Sequence, residues 1–204
     1  MSANGRILRI GDPAVFAIES AVPHALSAPP EVNALGFFQL RVGGTLFGIR
    51  NHTATWLHTV YNQLRFRIEC RGTHCAPFAC DASAEMIAEA LRVSGYCMFP
   101  TRSEYFGIEL DELYSLFATN RLHWSVYCDE SFDDGSQILH FDVSDRVRIV
   151  AFRSLPEPQN FDRDSVREAW LPAETFYRLL GEWCDHVFAA WQAAPKVDPD
   201  QIDW

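Results

Sequence analysis

A diglycine, Gly43-Gly44, separates two apolar runs and dictates how this stretch of chain must fold. Before it, Phe38, Leu40 and Val42 alternate with Phe37, Gln39 and Arg41, the period of a β-strand. Two adjacent glycines accept the positive φ angles that a tight two-residue hairpin turn requires. Pairing across the turn sets Val42 against Thr45, Leu40 against Phe47 and Phe38 against Ile49. Those six side chains then share one face, and Gln39, Arg41 and Arg50 take the other. A slip of one residue would expose the whole apolar set, so one register is strongly specified.

The flanks extend the pattern. Val15 to Val22 reads as a strand able to join the hairpin, entered through a turn at Asp12-Pro13. After the hairpin, Asn51, His52 and Thr53 are N-cap candidates for a helix beginning near Ala54. Its apolar stripe is Trp56, Val60, Leu64 and Ile68, widened by Leu57 and Tyr61. The prolines between Ala21 and Asn33 make that segment a loop.

Further on, Asp81-Ala82-Ser83 caps a second helix from Ala84 to about Val93, its stripe Met86 or Ile87, Ala90 and Leu91, with Gly95 as its stop. Glu109 to Thr119 is a short acidic helix with Leu110, Leu113, Leu116 and Phe117 inward. Leu122 to Cys128 alternates as a strand, turned back at Asp133-Asp134-Gly135-Ser136 into Gln137 to Val143. Asp145 to Phe152 is the next strand, and residues 154–164 form a loop. Pro172 suits the first turn of a long closing helix striped by Phe176, Leu180, Trp183, Val187 and Trp191. The tryptophans at 56, 124, 170, 183 and 191 fall on core faces. The fold class that results is α+β: a mostly antiparallel sheet built from hairpins, packed with about four helices including a long C-terminal one.

At 204 residues, 48% hydrophobic and 22% charged, the chain reads as a single domain over 1–204, with 195–204 as a tail. No segment approaches the roughly 18 consecutive apolar residues of a membrane span. Met1 to Gly11 lacks the apolar region of a secretory signal, so a cytoplasmic protein is expected, with no membrane partner. The net charge of −10 argues against nucleic acid, which wants a basic face, and suits a basic partner. The acids concentrate between Glu104 and Asp134, where eight stand against one base, Arg121. Two readings stay open there: a solvated helix face plus a hairpin tip, or a docking patch for a basic surface. For the second, Glu112, Asp129, Glu130, Asp133 and Asp134 are the candidate partner-binding residues.

Chemistry-bearing motifs are sparse. No metalloprotease, nucleophile-elbow, dinucleotide or phosphate-loop pattern occurs, and no cofactor is expected. Cys70, Cys75 and Cys80 surround His74 at intervals wider than the usual structural zinc pairs, so a cysteine-bearing surface loop competes with a metal loop. All six cysteines are expected as free thiols. His123 and His140 lie on strands that would pair, which leaves open a small enzyme using a His or Cys site, with Cys128 beside His140.

The chain resembles the immunity protein 42 family of bacterial polymorphic toxin systems. The resemblance is carried by Gly-Asp-Pro-Ala-Val-Phe-Ala-Ile-Glu at Gly11 to Glu19, the glycine-containing hairpin and the Gly48-led entry to the first helix. Phe141 to Ser154 and Val166 to Trp183 look like the family's late strands and closing helix. It covers most of the chain, with gaps at 23–34 and 71–80. It implies a protein that is not an enzyme and that binds and neutralises a cognate toxin domain by stoichiometric occlusion. A regulatory interaction domain unrelated to toxins is the other non-enzymatic reading.

Overall fold

In the computed structural model, which describes residues 7–27, 31–124, 129–156, 161–198 and 202, Gly43 and Gly44 take φ of 54° and 80°. The hairpin they close joins β3 (Ala34–Val42) to β4 (Thr45–Phe47), with Val42 opposite Thr45 and Leu40 opposite Phe47, the expected register. The third expected pair, Phe38 with Ile49, does not form. Gly48 turns the chain away at φ 104°, and Ile49 donates instead to the Ser131 carbonyl. Residues 48–54 then fold back over the outer face of β3. Arg50 and His52 lie against the Phe37 ring, and Gln39 donates to the Gly48 carbonyl at 2.7 Å. The second face of this strand is therefore buried as well as the first.

β3 pairs along its length with β2 (Phe16–Leu26), which pairs in turn with β1 (Leu8–Asp12), all antiparallel. The expectation of a loop from Ala21 is corrected here: β2 continues through Pro23 to Leu26. The β2–β3 register shifts between Ala21 and His24, so proline falls at the irregularity, where its missing N–H breaks no ladder bond. A two-residue strand, β5 (Thr55–Trp56), pairs with the start of β3 and delays the first helix to α1 (Leu57–Glu69). No side chain caps α1; Asn51 accepts from Thr53 N within the preceding turn.

A second antiparallel sheet has the order β10–β9–β8, from β8 (Ser136–Val143), β9 (Arg146–Ser154) and β10 (Phe161–Pro172). β10 occupies the end of the segment expected as a loop. Ser165 holds the bulge between Asp162 and Arg167, its hydroxyl accepting from Arg153 N at 2.8 Å. Alternation sorts this sheet's faces between two cores. Ile138, Val147, Ile149 and Ala151 join the first sheet and α4 (Ala173–Ala193) in the larger core. Leu139, Phe141, Val150 and Phe152 face α2 (Ala84–Tyr96) and α3 (Leu110–Thr119) in the smaller one.

Ser83 caps α2 as expected, accepting from Met86 N at 3.2 Å, and Ile87, Ala90 and Leu91 are its buried stripe. Between α2 and α3 runs a short hairpin, β6 (Glu104–Tyr105) with β7 (Ile108–Glu109). In α4, Phe176, Leu180, Trp183 and Val187 are buried, and Trp183 donates to Ser20 across to β2. Among the five tryptophans assigned to the core, Trp124 and Trp183 are fully buried; Trp56, Trp170 and Trp191 are half-buried. Within the stretch read as a tail, β11 (Lys196–Val197) pairs in parallel with Ala25 and Leu26, and Ile202 is buried.

Candidate functional site

The acid-rich stretch divides between two places. Glu112 is exposed in the first turn of α3, beside Asp111, where carboxylates complement the helix dipole. Residues 129–132 form one turn of 3-10 helix, packed against β3 and β5 at the other core. Phe132 anchors that turn against Phe38, and Ser131 meets Thr55 at 3.2 Å. Glu130 is exposed and accepts from Trp56 N at 3.3 Å. Asp133 is exposed. Asp134 accepts from Ser136 N and lies 3.8 Å from Arg153, holding the turn at Gly135. Of Asp129, the backbone position alone is described. Glu112 thus stands on a different helical layer from the other four candidates.

The strand expected over Leu122 to Cys128 is corrected in its first half. Only His123 bridges Leu139 there, flanked by Trp124 N to Ile138 O and His140 N to Leu122 O. Residues 125–128, and with them Cys128, lie outside the described residues. His123 and His140 are near each other, as the pairing implied, but both are enclosed. His123 Nε2 meets Gln137 Oε1 at 2.6 Å. His140 is fully buried, its Nδ1 accepting from Trp124 Nε1 at 2.8 Å and from Arg67 at 3.1 Å. Accepting at Nδ1 puts the proton of the neutral ring on Nε2, which has no hydrogen-bond partner among the described residues.

Arg67 is the residue the sequence reading overlooked. It is buried at the last turn of α1, donates to the carbonyls of Arg121 and His123 at 2.6 and 3.0 Å, and lies over the Trp124 ring at 4.7 Å. It falls three residues after Leu64, on the same face as Val60 and Leu64, so helical spacing was the available signal. The His74 ring packs at a tilt against that of His140, centroids 4.3 Å apart, and donates from Nδ1 to the Asn120 carbonyl. Asp142 accepts from Gly72 N, His74 N and the Tyr177 hydroxyl. These bonds tie α1, the 70–80 loop, β8 and α4 together around three enclosed imidazoles, His74, His123 and His140.

Burial pushes His123 down to about 4, holds His140 well below the usual 6.5, with the Arg67 charge adding to the effect, and lowers His74 too. Each is neutral in the fold, whereas the unfolded chain takes up protons below about pH 6.5. Their contribution to stability is therefore complete above pH 6.5 and is lost as pH falls towards the folded values. Melting temperature should drop steadily from pH 6.5 to 5, above the range where carboxylates titrate, and His123→Gln should flatten the slope. A flat wild-type profile in that window would contradict the buried neutral assignment.

Cys70, Cys75, Cys80, Cys97 and Cys184 are free thiols. Among the described residues, no three His, Cys, Asp or Glu side chains are placed to hold a metal ion; His74 turns inward, away from the exposed Cys75 and Cys80. No helix among the described residues is long and apolar enough to cross a membrane.

The fold is similar to that of CdiI from Burkholderia dolosa AUO158, with a TM-score of 0.53 and 16% sequence identity, covering 88% of this chain and 99% of that one. No curated protein matches the chain. Phe16 and Ile18 of the first motif, the diglycine hairpin and the closing helix meet in a single core, and the sequence model of immunity protein 42 matches residues 6–186 around them. The chain belongs to the immunity protein 42 family.

Proposed function

We propose that this immunity protein neutralises its cognate toxin domain in the cytoplasm by stoichiometric occlusion, without catalysis. The family match over residues 6–186 carries the reading. Charge supports a basic target: with net −10 and eight acids between Glu104 and Asp134, the protein attracts a basic surface at long range. Glu112, Asp129, Glu130, Asp133 and Asp134 belong to that field.

If the gene immediately upstream encodes a large secreted protein ending in a toxin domain, co-expressing this chain with that domain should restore growth. The two should also elute as one complex on gel filtration. Failure of both would overturn the reading. Reversing Asp133 and Asp134 to lysine should slow association by roughly fivefold at low salt and weaken its salt dependence. Unchanged association rates would remove the 133–134 turn from the steering surface.

A further inference from the structure

The described surface carries one concentration of exposed large apolar side chains. Met98 is 76% exposed and Phe99 80%, in the loop that leaves α2; Tyr96, the last residue of α2, is 47% exposed, and Tyr114 on α3 is 51%. The end of α2 and Tyr114 are neighbours. A Cβ at Gly95 would lie 3.3 Å from the Tyr114 ring, so the helix passes its expected stop at Gly95, and glycine there lets α3 approach closely. Chain connectivity keeps Met98 and Phe99 within a few residues' reach of Tyr96. The loop is then pinned to the start of α3 by Leu110 N donating to the Ser103 carbonyl at 3.2 Å.

The rim of this patch is acidic. Asp111 lies three residues before Tyr114, hence on the same side of α3. Glu109 and Asp111 form one wall of an open notch of about 520 Å³ that adjoins the patch, and Pro100, Arg102 and Ser103 form the other. Glu104 is exposed on β6. The nearby bases, Arg92 and Arg102, lie over the rings of Tyr96 and Tyr105 at 4.6 and 5.3 Å. Exposed aromatic and methionine side chains within a polar rim are the anatomy of a protein interface, with the aromatics as anchors.

Resting on the immunity reading, we propose that Tyr96, Met98, Phe99 and Tyr114 are the anchors that hold the toxin domain, which meets the Glu109 and Asp111 rim with basic side chains. A second copy of this chain is the poorer occupant. A twofold contact centred on the patch would set Glu109 and Asp111 of one copy close to those of the other, placing like charges together. A basic partner removes that repulsion and gains steering. The acids then govern association and the apolar anchors govern dissociation.

The test measures binding kinetics of the full chain with the purified C-terminal domain of the secreted protein encoded upstream. Phe99→Ser combined with Tyr114→Ser should raise the dissociation rate about 100-fold, within the range of hot-spot anchors. Melting temperature should fall only slightly, since Phe99 is largely in water and Tyr114 covers only Gly95 of α2 with half of its side chain. Phe99→Leu should stay within about fivefold of wild type, and Glu109→Lys with Asp111→Lys should slow association about tenfold at low salt. Tight wild-type binding that survives the double serine variant within twofold would place the anchors elsewhere and overturn the proposal. So would a homodimer in sedimentation that the same variant dissolves. Absence of wild-type binding would instead sink the immunity reading beneath it.

Discussion

Gly36→Ala should be the most damaging single-methyl change in this protein, with loss of soluble protein or a melting temperature lower by roughly 10 °C. Gly36 sits in β3 opposite Thr55, beside the place where the β2–β3 register shifts. A Cβ there would lie 2.0 Å from the Ala21 carbonyl oxygen and 2.8 Å from a Leu57 methyl. The leucine tip can turn aside, but the carbonyl belongs to the central strand pair of the sheet and cannot. Overpacking typically costs ~1–3 kcal/mol, and a clash with backbone stands at or beyond the top of that range. At ~2–4 °C per kcal/mol for a chain of this size, about 3 kcal/mol gives the stated drop. Thermal melts of Gly36→Ala against Gly107→Ala would separate this clash from a generic glycine effect. Gly107 has open space around its Cβ position but takes a φ of 73°, so its alanine variant reports turn strain alone. A Gly36→Ala protein that melts within 1–2 °C of wild type would contradict the close approach.

Arg67→Met should cost at least as much, about 3–5 kcal/mol, although methionine fills much of the same volume. The change strands the Arg121 and His123 carbonyls in the interior and removes the cation from the Trp124 ring. Removing one member of a buried charged network costs more than its net contribution, because the acceptors left behind have no water to turn to. Arg67→Lys should recover only a minor part, since one ammonium cannot span the acceptors that a planar guanidinium reaches. Urea denaturation curves on the three proteins would rank them. A methionine variant as stable as wild type would show that the cluster can be replaced by apolar packing.

What was legible in the sequence follows from which forces act locally. The diglycine turn, the Ser83 cap and the stripe of α4 depend on neighbours within a few residues, and each lies where pattern and turn chemistry place it. Strand β5 and the continuation of β2 past Pro23 depend on partners far along the chain, which no local pattern encodes. Arg67 escaped notice because charge argues for solvent; its burial becomes intelligible only when β8 and the 121–124 segment supply acceptors. The candidate site shows the same division. The acidic stretch was visible as composition, but the separation of Glu112 from Glu130, Asp133 and Asp134 is a property of two cores on opposite faces of one sheet. The apolar run Tyr96 to Pro100 is plain in the sequence at the end of α2. Its exposure depends on α3 crossing at Gly95 and leaving it uncovered.

Titration of the toxin domain's activity against this protein tests stoichiometric occlusion most directly. Inhibition should be complete on mixing, independent of incubation time, and should break at one fixed molar ratio. Progressive loss of toxin activity at substoichiometric amounts of this protein would mean that it turns over, and would contradict occlusion.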